Sequence, residues 1–214
     1  MSRHTNSKPH DQSFNYRSII GKLGYLEKGS RPEIAYIVHQ CTRFSISPKV
    51  EHTRAIRWLG RYLRQTKDKG MILRPDRSKG LELFVDADFA GNWDPENTAD
   101  IDTARSRHGY IIKCANCPVI WKSQLQREIA LSSTESEYTG LSYSIREAIP
   151  IINILEEMSK YHQLSTIKPK LYLKVYEDNV GAIEMANNHE YRPRTKHLNI
   201  RLHNFRKYIS SGKL

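Results

Sequence analysis

Three stretches of the sequence set an acid where a β-leaning run and a helical pattern meet. "LELFVDADFAG" closes an apolar run with Asp86, "SSTESEYTG" places Glu137 near the start of a long helical pattern, and "KVYEDNVGAIEM" closes another apolar run with Asp178. Each acid alone also has a structural use, because an acid near a helix N-terminus satisfies free N–H groups and the helix dipole. If one sheet brings the two strand ends beside the helix, the three form an all-oxygen ligand set of the kind Mg²⁺ and Mn²⁺ prefer. Two such ions roughly 4 Å apart suit displacement at a phosphodiester, activating a water and stabilising the leaving oxygen.

The elements that must position these acids are readable in outline. Strands are expected over 81–87 and 171–176, with a β-hairpin in "HGYIIKCANCPVIWKS" turning near Ala115 and Asn116. "SSTESEYTGLSYSIREAIPIINILEEM" reads as a long helix with Ser132 and Glu135 at capping-box spacing and a buried stripe of Leu141, Ile145, Ala148, Ile152 and Leu155. Pro150 should kink it. Helices are expected over 179–187 and 196–209, the last burying Leu198, Leu202, Phe205 and Ile209. Strand, hairpin, helix, strand and two helices make an α/β unit with a mixed sheet over 81–214. Residues 1–14 read as a disordered tail, 15–80 as a small helical unit, and the turn-rich stretch 75–80 as the boundary.

The clearest helix upstream is "ISPKVEHTRAIRWLGRYLRQTKDKG", with Ser47 as the expected N-cap and Gly70 as the expected stop. Ala55, Ile56, Leu59, Tyr62 and Leu63 share one face. Arg54, Arg57, Arg61 and Arg64 form a stripe on the opposite one. A solvated helix back usually mixes charges and gains i,i+4 pairs, whereas arginines at one-turn spacing without acid partners can follow a phosphate backbone. The net charge is +11 and is unevenly spread. Residues 1–80 carry 17 Lys and Arg against 6 Asp and Glu, and residues 81–214 carry 17 against 17. Within the second part, 81–104 holds seven acids and no base, and 191–214 holds seven bases and no acid. A basic surface beside an acid-lined centre suits a protein that grips a polyanion and does metal chemistry on it.

Other classes are excluded by composition and spacing. With 38% hydrophobic and 27% charged residues the chain is globular in type. It has no run near the roughly 20 apolar residues of a membrane span, and its polar first residues lack a signal peptide's apolar core. Three cysteines point to a reducing, intracellular setting. Cys114 and Cys117 have half of a zinc knuckle's spacing, but no second pair exists. Ser132 and Ser133 read as helix caps, and Trp58 and Trp121 as core or edge packing rather than base-stacking platforms. No Gly-rich phosphate loop or small-molecule cofactor motif stands out.

"VDADFAG", "IALSSTESEYTGLS", "VYEDNVGAI" and "RTKHLNIRLHNFR" together resemble the ribonuclease H domain of copia-type (Pseudoviridae) retrotransposon polyproteins, in matching order and spacing. Upstream, "YRSIIGKLGYLEKGSRPEIAYIVHQCTRFSISPKVEHTRAIRWLGRYL" resembles the segment joining reverse transcriptase to ribonuclease H in those polyproteins. The resemblance implies a ribonuclease H-like mixed sheet with flanking helices, preceded by a small thumb- or connection-like helical unit, in a separated piece of such a polyprotein. It also implies a metal-dependent endonuclease that cuts the RNA strand of RNA–DNA hybrids with two Mg²⁺ or Mn²⁺ ions, in the cytoplasm with virus-like particles or in the nucleus.

On that resemblance Asp86, Glu137 and Asp178 match the catalytic, metal-holding carboxylates, and Asp88 and Glu135 are at most supporting neighbours. Asn199 stands where relatives commonly carry a fourth acid ligand; it offers a carbonyl oxygen but no charge. His197 matches a histidine that would aid product departure, and His203 and Arg206 would touch phosphate beside the arginine stripe. "YEDN" also resembles a polymerase Tyr-x-Asp-Asp signature with Asn179 in the last place. A polymerase needs its acid pair in a hairpin, and here a helical pattern follows, so DNA synthesis is excluded. The alternative reading is a retroelement remnant that binds nucleic acid and cuts weakly or not at all.

Overall fold

The structure is a computed structural model, and it describes residues 7–76, 78–162, 172–187, Phe205 and 208–213. Three helices come first: α1 (Tyr16–Ser30), α2 (Ala35–Thr42) and α3 (Val50–Gln65). Asn15 caps α1 by accepting the Ser18 N–H at 3.0 Å. The apolar stripes of the three helices meet in a core that includes Tyr16, Ile20, Ile34, Val38, Cys41, Ile56 and Leu59. Burying such stripes is what stabilises short helices.

Three expectations about this part are corrected. α3 starts at Val50 with Lys49 as N-cap, not Ser47, because the His52 ring reaches back to accept the Lys49 N–H at 2.9 Å. It ends at Gln65, where Thr66 donates to Tyr62 and Leu63 carbonyls, well before Gly70. Residues 8–14, expected as part of a disordered tail, lie against α3. Val50 N donates to Lys8 O and His10 N to Pro48 O, both at 3.0 Å, and the His10 ring bonds Thr53 Oγ1 at 2.7 Å and Phe14 O at 2.8 Å.

The sheet follows: β1 (Leu81–Ala87), a short α4 (Ile101–Ala104), β2 (Arg107–Cys114), β3 (Cys117–Leu125), α5 (Ser133–His162), β4 (Leu173–Tyr176) and α6 (Val180–Asn187). Strand order is β3-β2-β1-β4, antiparallel except for the parallel β1–β4 pair. This is an α/β arrangement, a four-stranded mixed sheet with flanking helices. The β2–β3 turn is Ala115-Asn116 as expected, both with positive φ (49° and 65°), which matches the twist of a two-residue hairpin. Leu81, Leu83, Val85, Tyr110 and Ile112 pack against Tyr138, Leu141, Ile145, Ala148 and Ile152 of α5. The helix runs on through Pro150. Phe205 is buried in this core and Ile209 packs against it; the rest of the helix expected over 196–209 lies largely outside the described residues.

The helical unit docks on β3 and on the loop after β1. Trp121 Nε1 donates to Glu27 O at 3.1 Å, and Gln40 Nε2 to Asn92 Oδ1 at 3.1 Å. The Arg107 guanidinium lies over the Tyr36 ring and donates to His39 Nδ1 at 2.9 Å. Burial and the nearby Arg107 and Arg43 charges push the His39 pKa down to about 4, so its ring is neutral and free to accept. Arg43 pairs with Asp102 at 3.1 Å, both side chains 8% exposed. Part of the charge asymmetry seen in sequence is thus spent on this junction. Among the described residues, no helix is long and apolar enough to cross a membrane.

Candidate metal centre

The register of the parallel pair sets the site. Leu81 is level with Leu173 and Phe84 with Tyr176, and the acids follow two residues after that last pair, Asp86 near the end of β1 and Asp178 just past β4. The pairing is pinned on one face by the stacked Phe84 and Tyr176 rings, 4.4 Å apart, and by Tyr176 Oη donating to Glu82 Oε1 at 2.9 Å. Parallel strands finish on the same side, so both acids leave the sheet at the same end of it.

Glu137 is brought in by the start of α5. Ser132 Oγ accepts the Glu135 N–H at 3.1 Å, as expected of the cap, while the Glu135 carboxylate accepts from Leu131 N at 2.9 Å. Ser136 Oγ donates to Asp88 O at 2.5 Å, tying the helix to the end of β1. Asp88 Oδ1 in turn accepts the Arg107 N–H, so Asp88 is a clamp between β1, β2 and α5. One turn on, Gly140 lets the helix approach closely: a Cβ there would lie 3.0 Å from His108 Cβ and 3.4 Å from Ala87 Cβ.

Ligand atoms of Asp86, Glu137 and Asp178 lie within 4.8 Å of one another. The three acids singled out in sequence therefore converge, from two strand ends and one helix. Asp86 and Asp178 are exposed, and Glu137 is 8% exposed. Among the described residues these three form the one such group of His, Cys, Asp and Glu. Cys114 and Cys117 face each other across the hairpin as free thiols.

Sequence reasoning passed over a fourth carboxylate, Glu177. β4 ends at Tyr176, so the strand alternation that would turn neighbouring side chains to opposite faces no longer governs 177 and 178. Glu177 Oε1 accepts the Asn179 N–H at 3.2 Å. Burial, then the Asp178 and Asp86 charges, push its pKa up to about 7. Burial, then the charges of Glu177, Asp86 and Asp178, push Glu137 up to about 8 against a hydrogen bond from the Ala87 backbone. Glu137 Oε2 and Glu177 Oε2 are buried with no hydrogen-bond partner. Crowded carboxylates with orphaned oxygens suit a divalent cation, which neutralises the repulsion and fills the empty acceptor positions.

Arg54, Arg57, Arg61 and Arg64 are exposed on α3. Arg57 is not without partners: it donates to Ser13 Oγ at 2.8 Å and pairs with Asp11 at 3.4 Å, both through the docked residues before α1. Trp58, expected in the core or at an edge, is 56% exposed, whereas Trp121 does pack at the junction. His197, Asn199, His203 and Arg206, along with Leu198 and Leu202, lie outside the described residues.

No protein-family model matches the chain. It is 33% identical over 199 residues to a retrovirus-related Pol polyprotein from transposon RE1 of Arabidopsis thaliana, and 34% identical over 199 residues to that from transposon TNT 1-94 of Nicotiana tabacum. Each match covers 93% of this chain but only 12% and 14% of those polyproteins, so the chain spans a small part of their length. Among solved structures it is similar to the N-terminal RNase H domain of rv2228c from Mycobacterium tuberculosis, determined as a fusion with maltose-binding protein. That likeness is loose: 13% identity and a TM-score of 0.37, over 63% of this chain and 78% of the other.

Proposed function

The chain belongs to the Pol polyprotein family of copia-type retrotransposons, and on that premise we propose that its sheet unit is a metal-dependent endonuclease cutting the RNA strand of RNA–DNA hybrids. The observation that carries this reading is the convergence of Asp86, Glu137 and Asp178 at one end of the sheet. These three would hold Mg²⁺ or Mn²⁺, with two ions accommodated if Glu177 or Asn199 adds an oxygen. When bound, such ions supply Lewis-acid stabilisation of charge on the phosphate oxygens and lower the pKa of water.

The chain's own residues set the conditions for that chemistry. Asp88 and Ser136 hold the end of β1 against the start of α5, so Asp86 and Glu137 keep a fixed separation. Asn179 caps α6, leaving Asp178 exposed at the mouth of the sheet. Residues 15–80 correspond in this reading to the segment that follows the polymerase, and Arg54, Arg57, Arg61 and Arg64 would hold the hybrid backbone with His203 and Arg206. His197 would assist departure of the product. Recognition of hybrid over DNA duplex would rest on the RNA 2′-hydroxyls and groove shape.

The test is cleavage of an end-labelled RNA–DNA hybrid with Mg²⁺ or Mn²⁺, run beside Asp178→Asn. RNA-strand cutting that needs metal and disappears in the variant is the expected result. Salt-sensitive binding of the hybrid by both proteins without cutting would instead establish a remnant that only binds.

A further inference from the structure

We propose that Trp58 is a stacking site for an unpaired nucleobase, so that α3 holds single-stranded nucleic acid running off the hybrid. The inference deepens the reading of the arginine stripe as a nucleic-acid surface and rests on it.

Trp58 stands on the outer side of α3, 56% exposed, although a residue of its size is usually well buried. It also has a neighbour that orients it. Its ring stacks on Tyr62, one turn along, at 6.3 Å with planes 11° apart. Tyr62 is half-buried against the helical core, and the Arg31 guanidinium stands 5.9 Å from its ring centroid. Arg31 is itself pinned, donating to Glu33 at 2.5 Å, to Thr66 O at 3.1 Å and to Thr66 Oγ1 at 2.7 Å. Tyr62 thus contacts both a pinned guanidinium and the indole, and more than half of the indole's residue surface is exposed.

The charge around that indole indicates the partner. Arg54 and Arg61 sit four residues before and three after Trp58, on the same side of the helix, and both are exposed. The acid of α3, Glu51, is two turns away beside His52. A fixed aromatic face flanked by two arginines matches a base and the phosphates on either side of it. Stacking of this kind tolerates any base. Base pairs inside a hybrid are stacked on both faces and offer none to the helix side that lies along the backbone, which is why the ligand is the unpaired part.

The measurement is fluorescence anisotropy of the intact chain with two labelled probes, a blunt RNA–DNA hybrid and the same hybrid with a short single-stranded extension. The extended probe should bind about five-fold tighter or better, the scale of one stacked base. Trp58→Ala should erase that gain and Trp58→Phe should keep most of it, while Arg54→Gln weakens both probes and reduces the salt dependence. Equal affinity of the unmodified protein for the two probes, or an undiminished gain in Trp58→Ala, overturns the stacking site alone. Absence of salt-sensitive binding to either probe overturns it together with the reading of the stripe. Self-association that is lost in Trp58→Ala without nucleic acid present would also overturn it, assigning the indole to a second copy of the chain.

Discussion

Asn179 Oδ1 accepts the backbone N–H of Ala182 at 3.0 Å, so the residue directly after Asp178 is the N-cap of α6. Two neighbours therefore divide two tasks that sequence alone leaves open to either: the amide caps the helix and the acid is left for the cluster. Asn179→Ala should lower stability by about 1 kcal/mol, the usual cost of a lost cap. Asn179→Asp should keep the cap while adding charge beside Glu177 and Asp178. Urea unfolding of both variants, with and without Mg²⁺, checks this: the Asp variant should gain more from the ion than the unmodified chain does.

The crowded acids make stability depend on pH in a defined direction. Glu137 and Glu177 ordinarily titrate at 4.5 and are held at about 8 and about 7. The folded protein therefore keeps protons that the unfolded chain releases, and their favourable contribution is fully present below about 4.5 and lost as pH rises toward 8. In the absence of divalent ions the Tm should fall across that window, and Glu137→Gln should flatten the fall. Because ions and protons compete for the same oxygens, Mn²⁺ should raise the Tm more at the top of the window than at the bottom. Thermal scans at several pH values, with chelator and with Mn²⁺, test both statements.

The β2–β3 turn carries a correctable strain. Ala115 has φ 49°, a conformation that costs a residue with a Cβ about 1 kcal/mol. Its backbone is fixed by Ala115 N donating to Gly80 O at 3.0 Å and Asp76 N donating to Ala115 O at 2.8 Å, so the turn cannot relax. Ala115→Asn, which tolerates this region, should raise stability by up to about 1 kcal/mol. Chemical denaturation at fixed pH measures it.

What was legible in the sequence was local or periodic. The hairpin turn, the Ser132 cap, the α5 stripe and the strands that lead to Asp86 and Asp178 each leave a local or periodic mark. Even the meeting of the acids follows from a parallel pair once its register is known. What could not be read depends on contacts between distant segments. His52 caps its own helix only because its ring turns back to Lys49, and residues 8–14 dock because Pro48 and Val50 offer them backbone partners. Glu177 was passed over because its burial beside the other acids depends on how the sheet and α5 pack, which no local pattern shows. Trp58, read as core or edge packing, stands at the edge of the helical core, 56% exposed with its ring stacked on Tyr62, and only the packing of α1 and α2 on α3 decides which of the two it is.

Gly140 sets how closely Glu137 approaches the sheet. The Cβ of His108, 3.0 Å from where a side chain would begin, belongs to a buried ring stacked on Tyr143 and unable to yield freely. Gly140→Val should therefore push α5 away from β1 and cost roughly 1–3 kcal/mol as overpacking does. It should also weaken Mn²⁺ binding, because Glu137 moves with the helix while Asp86 stays in the strand. Calorimetric titration of Mn²⁺ into the folded variant separates that loss from the change in stability.

The Arg43–Asp102 pair is a buried charge contact between the helical unit and the sheet unit. Both side chains are 8% exposed, and Asp102 also holds Arg105 at 2.8 Å. The Arg43–Asp102 contact, at 3.1 Å, lacks the alignment of a hydrogen bond, so it acts mainly through charge. Removing the acid leaves a buried guanidinium uncompensated, which typically costs about 3–5 kcal/mol. Asp102→Ala should be severely destabilised, Arg43→Met less so because Arg105 still compensates the acid, and the double variant should recover part of the loss. A double-mutant cycle in urea gives the coupling directly. Additive losses would mean the junction is held instead by Trp121, Gln40 and the Arg107–His39 contact, and that its charges are incidental.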